Sequence, residues 1–225
     1  MSEDHSRRYA RLLRAGLSFA LLFSAAVRAQ NFTVDSTIDA VDVTPGDGIC
    51  ADSAGNCTLR AAIQEANQLP GADTIALPAG VFPLSLTGVG EDAAASGDLD
   101  ITEDVTLTGA GATATTIDGG GLDRVFDSAP NGAAISVTLN SLAIRNGAAS
   151  GASGGAIRVN FGSATLNDCS LSGNHADING GAVFNAGTLG VNRCTLSANT
   201  ASGNGGGLYN NATATLTNTT LSGNS

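Results

Sequence analysis

A repeat of about 25 residues constrains this chain more than any other feature. Gly154-Gly155-Ala156-Ile157 returns as Gly180-Gly181-Ala182-Val183 and again as Gly205-Gly206-Gly207-Leu208. Cys169-Ser170-Leu171-Ser172-Gly173-Asn174 returns as Cys194-Thr195-Leu196-Ser197-Ala198-Asn199 and as Thr219-Thr220-Leu221-Ser222-Gly223-Asn224. Leu171, Leu196 and Leu221 are therefore 25 residues apart, and a degenerate copy, Leu142-Ala143-Ile144-Arg145-Asn146, begins 27 residues before Cys169. Each unit holds three short segments, such as 156–159, 164–166 and 169–171, too short for helices and punctuated by Gly or Asn. A chain of this kind buries its apolar residues by coiling, each strand pairing with its counterpart one coil away. The spacing predicts three aliphatic columns: Ile157/Val183/Leu208, Leu166/Val191/Leu216 and Leu171/Leu196/Leu221. It also predicts an asparagine ladder, Asn174/Asn199/Asn224, at a corner that accepts left-handed backbone angles. A slip of one residue would turn every aliphatic column outward, so the register is specified. The Leu-x-x-Leu-x-Leu pattern of a leucine-rich repeat is absent.

Upstream of the array, 59–67 reads as a helix. Leu59, Ala62, Ile63 and Ala66 form one apolar stripe, Thr58 caps the start, and Pro70-Gly71 ends it. An amphipathic helix here suits the open end of a stacked sheet, which needs a cover. Cys50 and Cys57 close a short loop and are the expected disulfide. Cys169 and Cys194, one coil apart, are expected to stack inside as thiols. With His175 alone outside the leader, zinc is not expected.

The first residues read as an export signal: arginines from Arg7 to Arg14, an apolar stretch over 15–27, and small residues that place the cut before Gln30. Residues 1–29 are thus expected to be a signal peptide, 30–72 a capping region and 73–225 the repeats, continuing beyond 225. Without the leader, five arginines face eighteen acidic residues, a net charge of −13. So acidic a body repels phosphate backbones, which excludes nucleic acid. Nothing after the leader is apolar for long enough to span a membrane.

Asp47-Gly48-Ile49-Cys50, followed by Cys57-Thr58-Leu59-Arg60-Ala61-Ala62-Ile63-Gln64-Glu65-Ala66-Asn67, resembles the bacterial CSLREA domain. Thr58 stands at the motif's Ser and Ala61 at its Glu. Leu77-Pro78-Ala79-Gly80 and Gly97-Asp98-Leu99-Asp100-Ile101 are also similar to chains carrying that domain. The resemblance implies a secreted or surface protein with right-handed, pectin-lyase-like β-helix repeats, and implies no activity. The expected fold is thus all-β: a right-handed parallel β-helix solenoid with an N-terminal amphipathic capping helix.

The fold class invites a carbohydrate-active enzyme, a polysaccharide lyase or glycoside hydrolase, but fold alone does not carry function. The regular coils hold no acidic column: Asp168 aligns with Arg193 and Asn218. The richest acidic stretch offers Asp98, Asp100, Glu103 and Asp104 as calcium ligands, beside Glu91 and Asp92. The simpler reading puts Glu91 and Asp92 in a solvated loop and Asp98 and Asp100 on the outward half of a strand. Asp118, Asp123, Arg124 and Asp127 form a second, weaker group. Arg158, Phe184 and Tyr209 should share one outer face, where aromatic rings beside a guanidinium can hold a sugar or a protein. A Thr-x-Thr array for ice binding fails: Thr215 and Thr217 align with Gly190/Asn192 and Thr165/Asn167. The expectation is an exported scaffold with a binding, adhesive or structural role, no catalytic residues and no cofactor beyond calcium. Its partners would be glycans or surface proteins, with pairing at the uncovered last coil.

Overall fold

The computed structural model describes residues 28–225, in which the repeat winds into a parallel β-solenoid of about five turns. The export signal falls on 1–29 and lies almost wholly outside the described residues. Four sheets run along the solenoid, and in each the strand order follows the chain, as it must when every turn stacks on the one before. The seven-stranded sheet comprises Asn31–Thr33, Asp73–Ala76, Val105–Thr108, Ser136–Asn140, Ser163–Asn167, Thr188–Asn192 and Thr213–Thr217. A six-stranded sheet runs from Gly80–Pro83 to Thr220–Ser222, and a five-stranded sheet from Leu99–Ile101 to Leu208–Asn210. The three segments read from the sequence are all present. A fourth, two-residue strand (Ala148–Ala149, His175–Ala176, Thr200–Ala201) closes a further corner of each regular coil.

The predicted columns are in register. Leu171 pairs with Leu196 and Leu196 with Leu221. Ile157 pairs with Val183 and Val183 with Leu208, while Leu166 pairs with Val191 and Val191 with Leu216. The columns extend into the irregular coils through Leu139 and Leu107, through Ile144 and Ile117, and through Phe126 and Leu99. Most of these side chains are wholly buried, each contributing about 1.5–3 kcal/mol of transfer free energy.

The corner asparagines act differently from the expectation. Asn174, Asn199 and Asn224 do hydrogen-bond in a ladder, Asn174 Nδ2 to Asn199 Oδ1 at 2.9 Å and Asn199 Nδ2 to Asn224 Oδ1 at 3.0 Å. Their backbones are not left-handed; that role falls one residue earlier, on Gly173, Ala198 and Gly223. A second left-handed column, Ser141/Asp168/Arg193/Asn218, turns the chain out of the seven-stranded sheet. Asp168 and Arg193 in it form a two-armed ion pair at 2.7 Å.

The helix, Leu59–Gln68, starts where Thr58 Oγ1 accepts the Ala61 amide at 3.1 Å. Its apolar stripe is buried as expected, and it packs against Leu99–Ile101 and Asp73–Ala76 of the first coil. Arg60, Gln64 and Glu65 on its other side are buried as well. Glu65 accepts the amides of Gly46 and Gly48, and Gln64 accepts that of Asp42, so the helix organises the segment before it. Cys50 and Cys57 are disulfide-bonded within that region. Cys169 and Cys194 are free, buried thiols, and the Cys169 amide donates to Cys194 Sγ at 3.3 Å. The hydrogen bond with Cys194, together with burial, pushes the Cys169 thiol up.

Candidate functional site

Two surfaces of the solenoid carry organised polar side chains. The first is the outer face of the five-stranded sheet. Alternation turns Leu99, Ile101, Phe126 and Ile157 inward and leaves Asp100, Asp127, Arg158, Phe184 and Tyr209 as one outward column in continuous register. Its early end is an ionic cluster. Asp98, Asp100 and Asp127 each place a carboxylate oxygen within 4.8 Å of the other two. Arg124 Nε donates to Asp98 at 2.5 Å, and Arg158 grips Asp127 through Nε at 3.0 Å and through a second bond from its terminal nitrogen. Asp123 is buried beside them.

This cluster is covered. Segment 85–98 folds over it, and the Ala94 amide donates to Asp100 Oδ2 at 3.0 Å. Arg60 secures the cover from the helix side with every donor of its guanidinium: two bonds to Asp39, and one each to the carbonyls of Ala94, Gly97 and Asp98. Asn67 adds a bond to the Asp100 carbonyl at 2.7 Å. Asp98, Asp100 and Asp127 are consequently only 4%, 0% and 2% exposed. Burial pushes Asp98 up to about 7, against the pull of Arg124, and pushes Asp100 up to about 8 with help from the charge of Asp98. Two surface depressions lie near the cover, of about 330 and 200 Å³. Neither is lined by a carboxylate of the cluster.

The acidic residues singled out by sequence thus separate. Asp100 does face outward from its strand and Asp98 stands just before it, but both are buried together under the cover. Glu103 is exposed, and Asp104 instead accepts the Ser136 amide at 2.8 Å, so neither joins them. The third carboxylate is Asp127, from the group that sequence kept apart, while Asp118 pairs with Arg145. Phe184 and Tyr209 stack at 5.6 Å with ring planes 9° apart. Their faces are turned along the solenoid axis toward each other, so the outside meets mainly ring edges, which is a poorer platform for a sugar than the expected open ring face.

The second surface is the outer face of the seven-stranded sheet. Thr74, Thr106, Thr138, Thr165 and Thr215 form one column, interrupted only at Gly190 and preceded by Asn31. Beside it run Thr33, Ala76, Thr108, Asn140, Asn167, Asn192 and Thr217. None of these positions is charged, and all are exposed or half-exposed. The amides bond along the axis, Asn192 to Asn167 at 3.0 Å, Asn167 to Asn140 at 2.9 Å and Asn140 to Thr108 at 3.2 Å. The Thr-x-Thr pair recurs at Thr106/Thr108, outside the regular repeats. Aligning Ser136-Val137-Thr138-Leu139-Asn140 with Ser163-Ala164-Thr165-Leu166-Asn167 was the sequence signal for this face.

No protein-family model, curated protein or solved structure matches this chain. No helix among the described residues is long and apolar enough to cross a membrane.

Proposed function

We propose that this chain is an exported scaffold, a right-handed β-helix capped over its first coil by the Leu59–Gln68 helix, and that it binds neutral glycans. The right-handed winding is the one parallel crossovers take. The CSLREA resemblance of residues 47–67 and the Cys50–Cys57 disulfide support a place outside the cytoplasm. The observation that carries the binding role is the uncharged outer face of the seven-stranded sheet. In a chain of net charge −10, two adjacent columns over seven strands contain no ionic side chain, only hydroxyls and amides with one Gly and one Ala. A ligand rich in hydroxyls can exchange hydrogen bonds with such a face without desolvating a charge. An anionic polymer would be repelled by the rest of the surface.

A carbohydrate-active enzyme is the competing class. It would need its carboxylates at a cleft, and the converging acids here lie beneath residues 85–98. Co-sedimentation with insoluble β-glucan and chitin tests the proposal. The wild type should be retained, and Thr138→Arg/Thr165→Arg should lose most retention, whereas Phe184→Ala/Tyr209→Ala should lose little. Retention that survives the two arginines overturns the assignment of the face. Release of unsaturated or reducing products from polysaccharides would replace the scaffold reading by the enzymatic one.

A further inference from the structure

The buried carboxylates under segment 85–98 are not used by the glycan-binding face, and their arrangement calls for a partner. Three observations converge on them. The first is the geometry: Asp98, Asp100 and Asp127 bring oxygens within 4.8 Å of one another. That is about twice the distance at which calcium sits from an oxygen ligand, so one ion can touch all three. The second is an orphaned atom. Asp100 is 0% exposed, its Oδ2 is taken by the Ala94 amide, and its Oδ1 has no hydrogen-bond partner among the described residues. A buried carboxylate oxygen without a donor is costly unless a cation meets it. The third is the charge count. Asp98, Asp100, Asp123 and Asp127 face only Arg124 and Arg158, because Arg60 is matched by Asp39. Two negative charges are left over, which one divalent cation balances.

From these we infer that Asp98, Asp100 and Asp127 form a buried site for a hard divalent cation of the calcium type, which clamps segment 85–98 onto the first two coils. Calcium suits the site better than magnesium, because it accepts irregular oxygen geometry and mixed carboxylate and water ligands. Arg124 holds only Oδ2 of Asp98, whereas Arg158 takes both oxygens of Asp127 and Asn160 shares Oδ1, so an ion would meet Asp127 through a remaining lone pair. The ion would join three parts of the chain: Asp98 at the end of the cover, Asp100 in the strand Leu99–Ile101 that follows it, and Asp127 in the next coil. Sealed from solvent by the Ala94 contact and the Arg60 bonds, it would serve the fold and not a bound substrate.

The test is calorimetric titration of the chelator-treated full chain with calcium chloride, alongside limited proteolysis of segment 85–98. One site per chain is expected, with a dissociation constant of about 1 mM or tighter, as in extracellular calcium modules. Calcium should protect the segment from cleavage. Asp100→Asn keeps the acceptor for the Ala94 amide and nearly the same shape, so its fold should persist. It should weaken calcium binding about tenfold or more by removing a charged ligand. Glu103→Gln, five residues from Asp98 but outside the cluster, should bind like the wild type. No binding at about 10 mM calcium, well above the range of extracellular sites, would overturn the inference and leave protons to balance the cluster. Binding that Asp100→Asn does not weaken would overturn it too.

Discussion

Removing the Asn199 side chain tests the stacking at its most demanding point, a polar ladder inside a dry corner. Asn199 is fully buried. Its Oδ1 accepts the Asn174 backbone amide at 3.0 Å and Asn174 Nδ2 at 2.9 Å. Its Nδ2 donates to the Leu171 carbonyl at 3.0 Å and to Asn224 Oδ1 at 3.0 Å. Asn199→Ala breaks all four and leaves the buried Asn174 amide without an acceptor. One unsatisfied buried donor costs about 1–3 kcal/mol, and the remaining bonds are worth about 0.5–1.5 kcal/mol each where water does not replace them. A loss of about 3 kcal/mol is expected. Asn199→Asp separates the ladder from mere packing. One carboxylate oxygen still accepts from Asn174, but the other meets two acceptors, Leu171 O and Asn224 Oδ1. The group must keep a proton to fit, so its penalty should grow as pH rises above about 4, the ordinary carboxyl value. Urea unfolding followed by circular dichroism at pH 4 and 7.5 measures this. Amide exchange should accompany it, because a solenoid can lose coils separately. A cost below about 0.5 kcal/mol for Asn199→Ala, or an Asn199→Asp penalty that does not change with pH, would refute the reasoning.

Two further outcomes follow from the early coils. In cation-free protein, Asp98 and Asp100 keep protons to about 7 and 8, while the unfolded chain releases them near its ordinary carboxyl value of 3.8. The native state therefore holds more protons between these limits, and its stability should be full below about pH 4 and fall as pH rises to about 8. Urea midpoints in chelator at pH 5, 6.5 and 8 should decline in that order, and a flat or rising series would contradict the burial of the pair. Arg60→Lys should cost about 2–5 kcal/mol, since an ammonium with three donors cannot serve the five bonds of the guanidinium and strands buried acceptors. It should also speed proteolytic cleavage of segment 85–98, and unchanged cleavage would argue that Arg60 does not hold the cover.

The columns Leu171/Leu196/Leu221 and Ile157/Val183/Leu208 were legible because near-identical repeats leave only one register that turns all of them inward. Thr58 and the apolar stripe likewise announced the helix. The cover was not legible, because its bonds join side chains to backbone groups. Arg60 meets the oxygens of Ala94, Gly97 and Asp98, which any residue could supply. Asp127 could not be joined to Asp98 and Asp100 without the register of the degenerate coils, where the spacing departs from 25 residues. The left-handed corner column gave only a partial signal: Asp168 and Asn218 are residue types that such a backbone accepts, but Ser141 and Arg193 are not, so the column does not read as one.

The early coils and the regular coils solve one problem by different means, and the difference separates their roles. In the regular coils, the buried corner after the six-stranded sheet is filled by amides that serve each other in a ladder, so each added coil satisfies the last there with no charge involved. Neutral stacking of this kind can be repeated, and it leaves the flat seven-stranded face free of ions. Among the described residues, no repeat precedes the first coils to complete them. There the chain uses a helix, a disulfide, a fully bonded arginine and buried carboxylates, each a specific contact that does not propagate. Changes in the ionic cluster should thus alter stability and the cover while sparing the sheet face. Charges placed on Thr138 or Thr165 should do the reverse, because those side chains point away from the core and bear none of the early-coil contacts.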